Sequence, residues 1–294
     1  MNMKIIQRLI AGLIILLLAA CNLPSVIQAP TETTMPDAPT LAPTDTTQLV
    51  ITPTLAFTET PEIVITPTLA PTPTNLPLYQ QVKLVPKVSE EAGKAPNYTF
   101  KTQVPVMEGS SDPKVDKFNQ DISNIVQAAV DQFRKELLNQ PAVPISAGSY
   151  FDLRYALISP PGPIFSLQIQ IEGMYDGAAH PYHVTSAYNY DLETGQVITF
   201  ERLFIPGSDP LTPISEYCKK ELSKRDINFD MFAAGADPTA ENYSVWNISA
   251  DGLVIFFNEY QVAPYAAGPQ TVVVPFSELE NIIDPGGPLA EVKP

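Results

Sequence analysis

From Ile169 to Leu203 the chain reads IQIEGMYDGAAHPYHVTSAYNYDLETGQVITFERL, with apolar and polar residues alternating through most of it. The alternation breaks at Gly177-Ala178-Ala179-His180, resumes, turns at Glu193-Thr194-Gly195 and resumes again. A period of two sends successive side chains to opposite faces of an extended chain. The stretch therefore predicts consecutive antiparallel strands. It also carries both histidines of the protein, His180 and His183, among a cluster of tyrosines.

The same reasoning extends over a globular region from Tyr79 to about Ile283. Strands are expected at Tyr79–Val88, Asn97–Met107, Ser149–Ser159, Ile164–Tyr175, Tyr182–Leu192 and Val197–Phe200, then at Tyr243–Ser249, Leu253–Asn258 and Gln270–Phe276. Asp112 followed by Pro113 suits a helix start, and Val115, Phe118, Ile122, Ile125, Val126, Ala129, Val130, Phe133 and Leu137 form an apolar stripe running toward Gln140-Pro141. A second helix is expected from Thr212-Pro213, with Ile214, Tyr217, Cys218 and Leu222 on its apolar side and the basic run Lys219-Lys220, Lys224-Arg225 in solvent. Asp251-Gly252 signals a hairpin, Ser277 with Glu280 a capping box for a short last helix, and Pro285-Gly286-Gly287-Pro288 a frayed tail. Runs of strands interrupted by two principal helices predict an α+β domain built on a mainly antiparallel sheet.

What precedes it is different. Lys4 and Arg8 precede an apolar run from Leu9 to Ala20. As a helix this run of about 12 residues rises only about 18 Å, too short for a hydrocarbon core but suited to a signal peptide. Leu18-Ala19-Ala20-Cys21 follows and resembles the lipobox of bacterial lipoproteins, which implies cleavage after residue 20 and lipidation of Cys21. Residues 21–78 are dominated by Pro, Thr and Ala and repeat Ile51-Thr52-Pro53-Thr54-Leu55-Ala56 as Ile65-Thr66-Pro67-Thr68-Leu69-Ala70. Such repeats cannot build a central strand or a helix, so a disordered, partly polyproline stalk is expected. With Cys21 used for lipid, Cys218 has no partner for a disulfide. The net charge of −15 argues against a nucleic-acid partner.

In the head, Gly177-Ala178-Ala179-His180-Pro181, Asn189-Tyr190-Asp191-Leu192, Thr194-Gly195 and Leu203-Phe204 resemble the extracytoplasmic domain shared by RsiV and PdaC. Gly252-Leu253, Phe256-Phe257, Tyr260, Ala263-Pro264-Tyr265-Ala266-Ala267-Gly268 and Val274-Pro275-Phe276 resemble its C-terminal part, domain of unknown function 3298. Residues 98–179, with Asn119 in the first helix, resemble the PdaC-type domain that precedes it. Ala178 stands where the family turn usually has a second glycine. The resemblance divides the chain into a PdaC-like section at 79–180, an RsiV-type section at 181–284 and a tail at 285–294. It implies an envelope sensor or binding module, which in RsiV recognises lysozyme. The deacetylase metal site and the cytoplasmic sigma-factor segment of such relatives have no counterpart in these residues.

Site chemistry is sparse. His180 and His183 lie three apart on an extended chain and so point to opposite faces, which argues against a shared metal, and no cofactor is expected. His180 is expected to bond local backbone in its turn, and His183 to occupy a strand with one wet face. No Gly-x-Ser-x-Gly elbow or phosphate loop is present. The stronger candidate is the loop containing Tyr260, Pro264 and Tyr265, whose rigid rings suit protein or glycan contacts, with His180 and Tyr182 beside it. The reading is a lipid-anchored extracytoplasmic lipoprotein whose head binds a lysozyme-like protein or cell-wall glycan, without catalytic residues. The alternative is an envelope carbohydrate-active hydrolase using carboxylates between Glu172 and Asp191, such as Glu172 and Asp176.

Overall fold

The computed structural model describes residues 76–141, 147–290 and 292. The expected signal peptide, Cys21 and all but the end of the expected stalk lie outside the described residues.

A single helical turn, α1 (Leu78–Gln81), leads into β1 (Lys83–Lys94), which pairs antiparallel with β2 (Asn97–Glu108) along its whole length. The strand expected at Tyr79–Val88 is thus displaced toward the C-terminus. Ser89–Lys94 carries no alternation because β1 is an exposed edge strand, and pairing with β2 rather than burial keeps it extended. The charges of Lys83, Lys87, Glu90 and Glu91 and the ring of Pro86 make this long edge a poor template for another chain.

Helix α2 (Pro113–Leu137) begins as its sequence dictates: the Asp112 carboxylate accepts a bond from the Lys114 backbone N–H at 2.9 Å, and Pro113 fills the first position. It buries Val115, Phe118, Ile122, Val126, Phe133 and Leu137. β3 (Ser149–Leu157), β4 (Ile164–Met174), β5 (Tyr182–Asp191) and the short β6 (Gln196–Val197) complete a six-stranded sheet in the order β1-β2-β3-β4-β5-β6. Only β2 and β3 run parallel in it, and α2 is the long crossover such a pair requires. Phe118, Ile122 and Phe133 cover Phe151, Leu153, Leu167, Ile169 and Tyr190 on one face of this sheet. Asn119 clamps the helix to β2, accepting from the Met107 N–H at 2.8 Å and donating to the Met107 carbonyl at 2.9 Å.

A second core follows. The strand expected at Val197–Phe200 stops at Val197, because Phe200–Leu203 coils into a 3₁₀ turn that drives Leu203 inward. Helix α3 (Leu211–Leu222) packs with the antiparallel sheet β7 (Trp246–Ile248), β8 (Gly252–Phe257) and β9 (Gln270–Pro275). Cys218 is buried on the inner face of α3, as its spacing predicts. The β7–β8 hairpin turns where Asp251-Gly252 predicts. A Cβ at Gly252 would lie 2.2 Å from the Val274 carbonyl oxygen, so only glycine lets β9 approach there. β7 is shorter than expected because Tyr243 drops into the core and donates to the Ala236 carbonyl at 2.8 Å.

Two expectations for the C-terminus fail. The capping-box helix at Ser277–Glu280 is a lone 3₁₀ turn, Phe276–Glu278. Beyond it the backbone pairs with residues 203–205 instead, through Ile205 N–H to Ile282 O at 2.8 Å and Asp284 N–H to Leu203 O at 3.0 Å. The tail does not fray through residue 290, since Leu289 is fully buried in the second core.

The two sheets are joined by buried polar groups centred on Ser166 of β4. Its hydroxyl donates to Asn189 Oδ1 at 2.5 Å and accepts from Asn247 Nδ2 at 3.0 Å and the Ile248 N–H at 2.9 Å. Asn189 Nδ2 in turn donates to the Trp246 carbonyl at 3.0 Å. Most polar atoms so deeply buried persist because they are bonded across the joint, Asn247 Oδ1 alone among these side-chain atoms having no partner among the described residues.

Candidate functional site

Strand alternation sends Tyr150, Asp152 and Arg154 of β3, Glu172 of β4 and His183 of β5 to the sheet face opposite α2. Register aligns Asp152 with Glu172 and Glu172 with His183, so a row of charge crosses three strands. Near Ser166 the second sheet covers this face. Toward the start of β5 the cover is the loop after β8, from Asn258 to Gly268, which sets Glu259 against His183.

The contacts are specific. His183 Nδ1 lies 2.8 Å from Glu259 Oε1, and its Nε2 lies 3.8 Å from Glu172 Oε2. The short contact is off-line for a hydrogen bond, so the buried Nδ1 has no aligned partner among the described residues; it is an ion-pair geometry, effective when the ring is protonated. Glu172 accepts from the Tyr150 hydroxyl at 2.8 Å, and Arg154 contacts both Asp152, at 3.1 Å, and Glu172, at 3.5 Å. Burial and then the bond to Glu172 push the Tyr150 phenol up to about 12. Burial and then the Glu259 charge raise that of Tyr265. Glu259 is 13% exposed and His183 37%.

Above this polar row lies an aromatic one. The His180 ring is 4.6 Å from that of Tyr265, which is 5.6 Å from that of Tyr260. The loop is tied to β5 and its approach by the Tyr265 hydroxyl, donating to the Pro181 carbonyl at 3.2 Å, and by the Thr185 N–H, donating to Asn258 Oδ1 at 3.4 Å. Tyr260 is 47% exposed and holds a left-handed backbone, φ +64°, which a bulky residue adopts only where its surroundings impose it.

Residues 201–277 match a family described as a protein of unknown function, DUF3298. Over 173 residues the chain is 26% identical to the peptidoglycan-N-acetylmuramic acid deacetylase PdaC of Bacillus subtilis, an alignment covering 58% of this chain and 37% of that protein. The chain has a PdaC-like plus DUF3298 architecture. It is also similar to the immunogenic protein MPT64 of Mycobacterium tuberculosis (33% identity over 109 residues, 36% of this chain and 47% of that one). Esterase Rv3036c of the same species is 35% identical over 106 residues, 35% of this chain and 45% of that one. The chain thus spans less than half the length of the curated relatives it matches. A solved DUF3298-family structure from Bacteroides fragilis shares the fold at a TM-score of 0.55 and 16% identity, covering 72% of this chain and 96% of that one. The DUF3298 match supplies Glu259, Tyr260 and Tyr265, whereas Glu172, His180 and His183 lie upstream of it.

Of the residues singled out in sequence, the structure brings Tyr260, Tyr265 and His180 together, with Pro264 at the start of the 3₁₀ turn carrying Tyr265. His180 also makes the local backbone contact expected of it, Nδ1 to the Pro181 carbonyl at 2.8 Å. Tyr182 stands apart: it lies on the helix face of β5 and stacks on Tyr175 at 5.8 Å. Among the candidate carboxylates only Glu172 joins the cluster. Asp176 accepts from the Ala147 N–H, and Asp191 holds the Glu193-Thr194 turn. Sequence reasoning missed Glu259 and set His183 aside. The one signal for Glu259 is its place beside Tyr260 in the DUF3298 loop.

Proposed function

We propose that the head of this DUF3298 chain is an extracytoplasmic binding module, carried on a Pro/Thr-rich stalk by a lipid on Cys21. Its ligand is a lysozyme-like protein or a cell-wall glycan. The observation that carries the reading is the ring row His180, Tyr265 and Tyr260 set directly beside the carboxylates Glu172 and Glu259. Rigid aromatic faces supply contact area at small entropy cost, and neighbouring carboxylates bind sugar hydroxyls or basic side chains. A strained Tyr260, held outward in place of a relaxed turn, fits a residue kept for contact rather than for stability. The test is retention of the full chain on immobilised lysozyme and on peptidoglycan. Retention on one of them, reduced at least about tenfold by Tyr260→Ala or Tyr265→Ala, is expected. Retention on neither overturns the reading.

A second reading is hydrolysis, favoured by the placement of His183 between Glu259 and Glu172, a candidate base with a carboxylate on each side. One relative is named an esterase. Hydrolysis of acyl esters or glycans that survives unchanged in Glu172→Gln and His183→Gln would remove this reading.

A further inference from the structure

We infer that His183 is a proton-operated latch: uptake of a proton by its ring tightens the loop after β8, with Tyr260 and Tyr265, against β5. In its consequence for ligand the inference rests on the binding reading above, and it adds the regulation of that site.

The argument is geometric. His183 belongs to β5, whereas the carboxylates on its two sides belong to different elements, Glu172 to β4 and Glu259 to the loop. Among the described residues the other ties between the loop and β5 with its approach are uncharged: Tyr265 to the Pro181 carbonyl, Thr185 to Asn258, and the His180–Tyr265 ring contact. A neutral imidazole carries no charge to attract either glutamate; the imidazolium places a positive charge between the two carboxylates, at ion-pair distance from both. The neighbouring groups leave that role open. Arg154 of β3 is held by Asp152 and Glu172, the Tyr150 hydroxyl also serves Glu172, and Tyr265 of the loop is a phenol that stays neutral in this range. Glu259, nearly enclosed, is approached by His183.

Composition sharpens the test, because the chain has only two histidines. His180 contacts a backbone carbonyl and a tyrosine ring and bridges no carboxylate pair. His183→Gln is therefore the variant that separates a histidine response of the loop from one of its carboxylates.

Amide hydrogen exchange of residues 259–268 is measured on the full chain without ligand, at about pH 5.5 and about pH 8, corrected for intrinsic rates. A partly exposed ion pair should slow local opening up to about fivefold at the lower pH. Wild type and His180→Gln are expected to show this difference, and His183→Gln and Glu259→Gln to lose it, with β5 protection confirming that each variant folds. No difference in wild type, or one that persists in His183→Gln, overturns the latch. Since no ligand is present, failure of the binding reading leaves this result untouched.

Discussion

Glu172 and His183 are Cα partners across β4 and β5, and their facing atoms, Oε2 and Nε2, lie 3.8 Å apart. The pair is a product of strand register, because a slip of one residue would send His183 to the helix face. What makes it a site is Glu259, brought from a remote part of the chain by the loop after β8. Register fixes two of the three charged groups, and loop docking supplies the third.

The joint between the sheets is expected to be the most sensitive polar feature of the head. Ser166→Ala removes one donor and leaves Asn189 Oδ1, Asn247 Nδ2 and the Ile248 N–H without their common partner. A loss of about 2–3 kcal/mol is expected in urea unfolding. A change below about 0.5 kcal/mol would mean that the joint does not depend on Ser166.

Tyr260 offers a test of stored strain. A glycine at φ +64° avoids the Cβ clash that an alanine retains, while both variants lose the ring. Tyr260→Gly is expected to be more stable than Tyr260→Ala by about 1 kcal/mol, and equally impaired in ligand retention. Equal stability of the two would show that the backbone relaxes once the ring is gone.

Alkali should unfold the head cooperatively. Burial pushes the Tyr150 and Tyr190 phenols and the Cys218 thiol up to about 12, and raises Tyr175, Tyr182, Tyr188 and Tyr243 as well. A group whose folded value lies above its unfolded one contributes its full stability below the unfolded value, about 10 for tyrosine, and loses it as pH rises through the folded value. Near-ultraviolet circular dichroism should hold to about pH 10 and collapse before about pH 12. An unchanged signal at pH 12 would contradict this burial.

Local rules made much of the fold legible. The Asp112-Pro113 start, the stripe from Val115 to Leu137, the Asp251-Gly252 hairpin and the strands expected at Ile164–Tyr175 and Tyr182–Leu192 rest on patterns over a few residues, and the structure follows each closely. The misplaced elements were decided by backbone pairing that the side-chain pattern does not show: β1 by its hairpin with β2, and the segment after Ser277 by pairing with residues 203–205, far off in the chain. The site divides the same way. Tyr260, Tyr265 and His180 announce themselves as rigid rings in a loop and a turn. Glu259 and His183 are two ordinary polar residues until the loop is folded over β5.

By itself, then, the sequence determined the α+β class, the two principal helices, the strand-by-strand alternation and the tyrosine loop, because helix caps, turn residues and periodicity are short-range physics. Only the tertiary structure decided that Glu172, His183 and Glu259 share one place and that Tyr182 does not. Side-chain proximity across strands depends on register and loop docking, and these are set by burial and pairing between residues far apart in the chain.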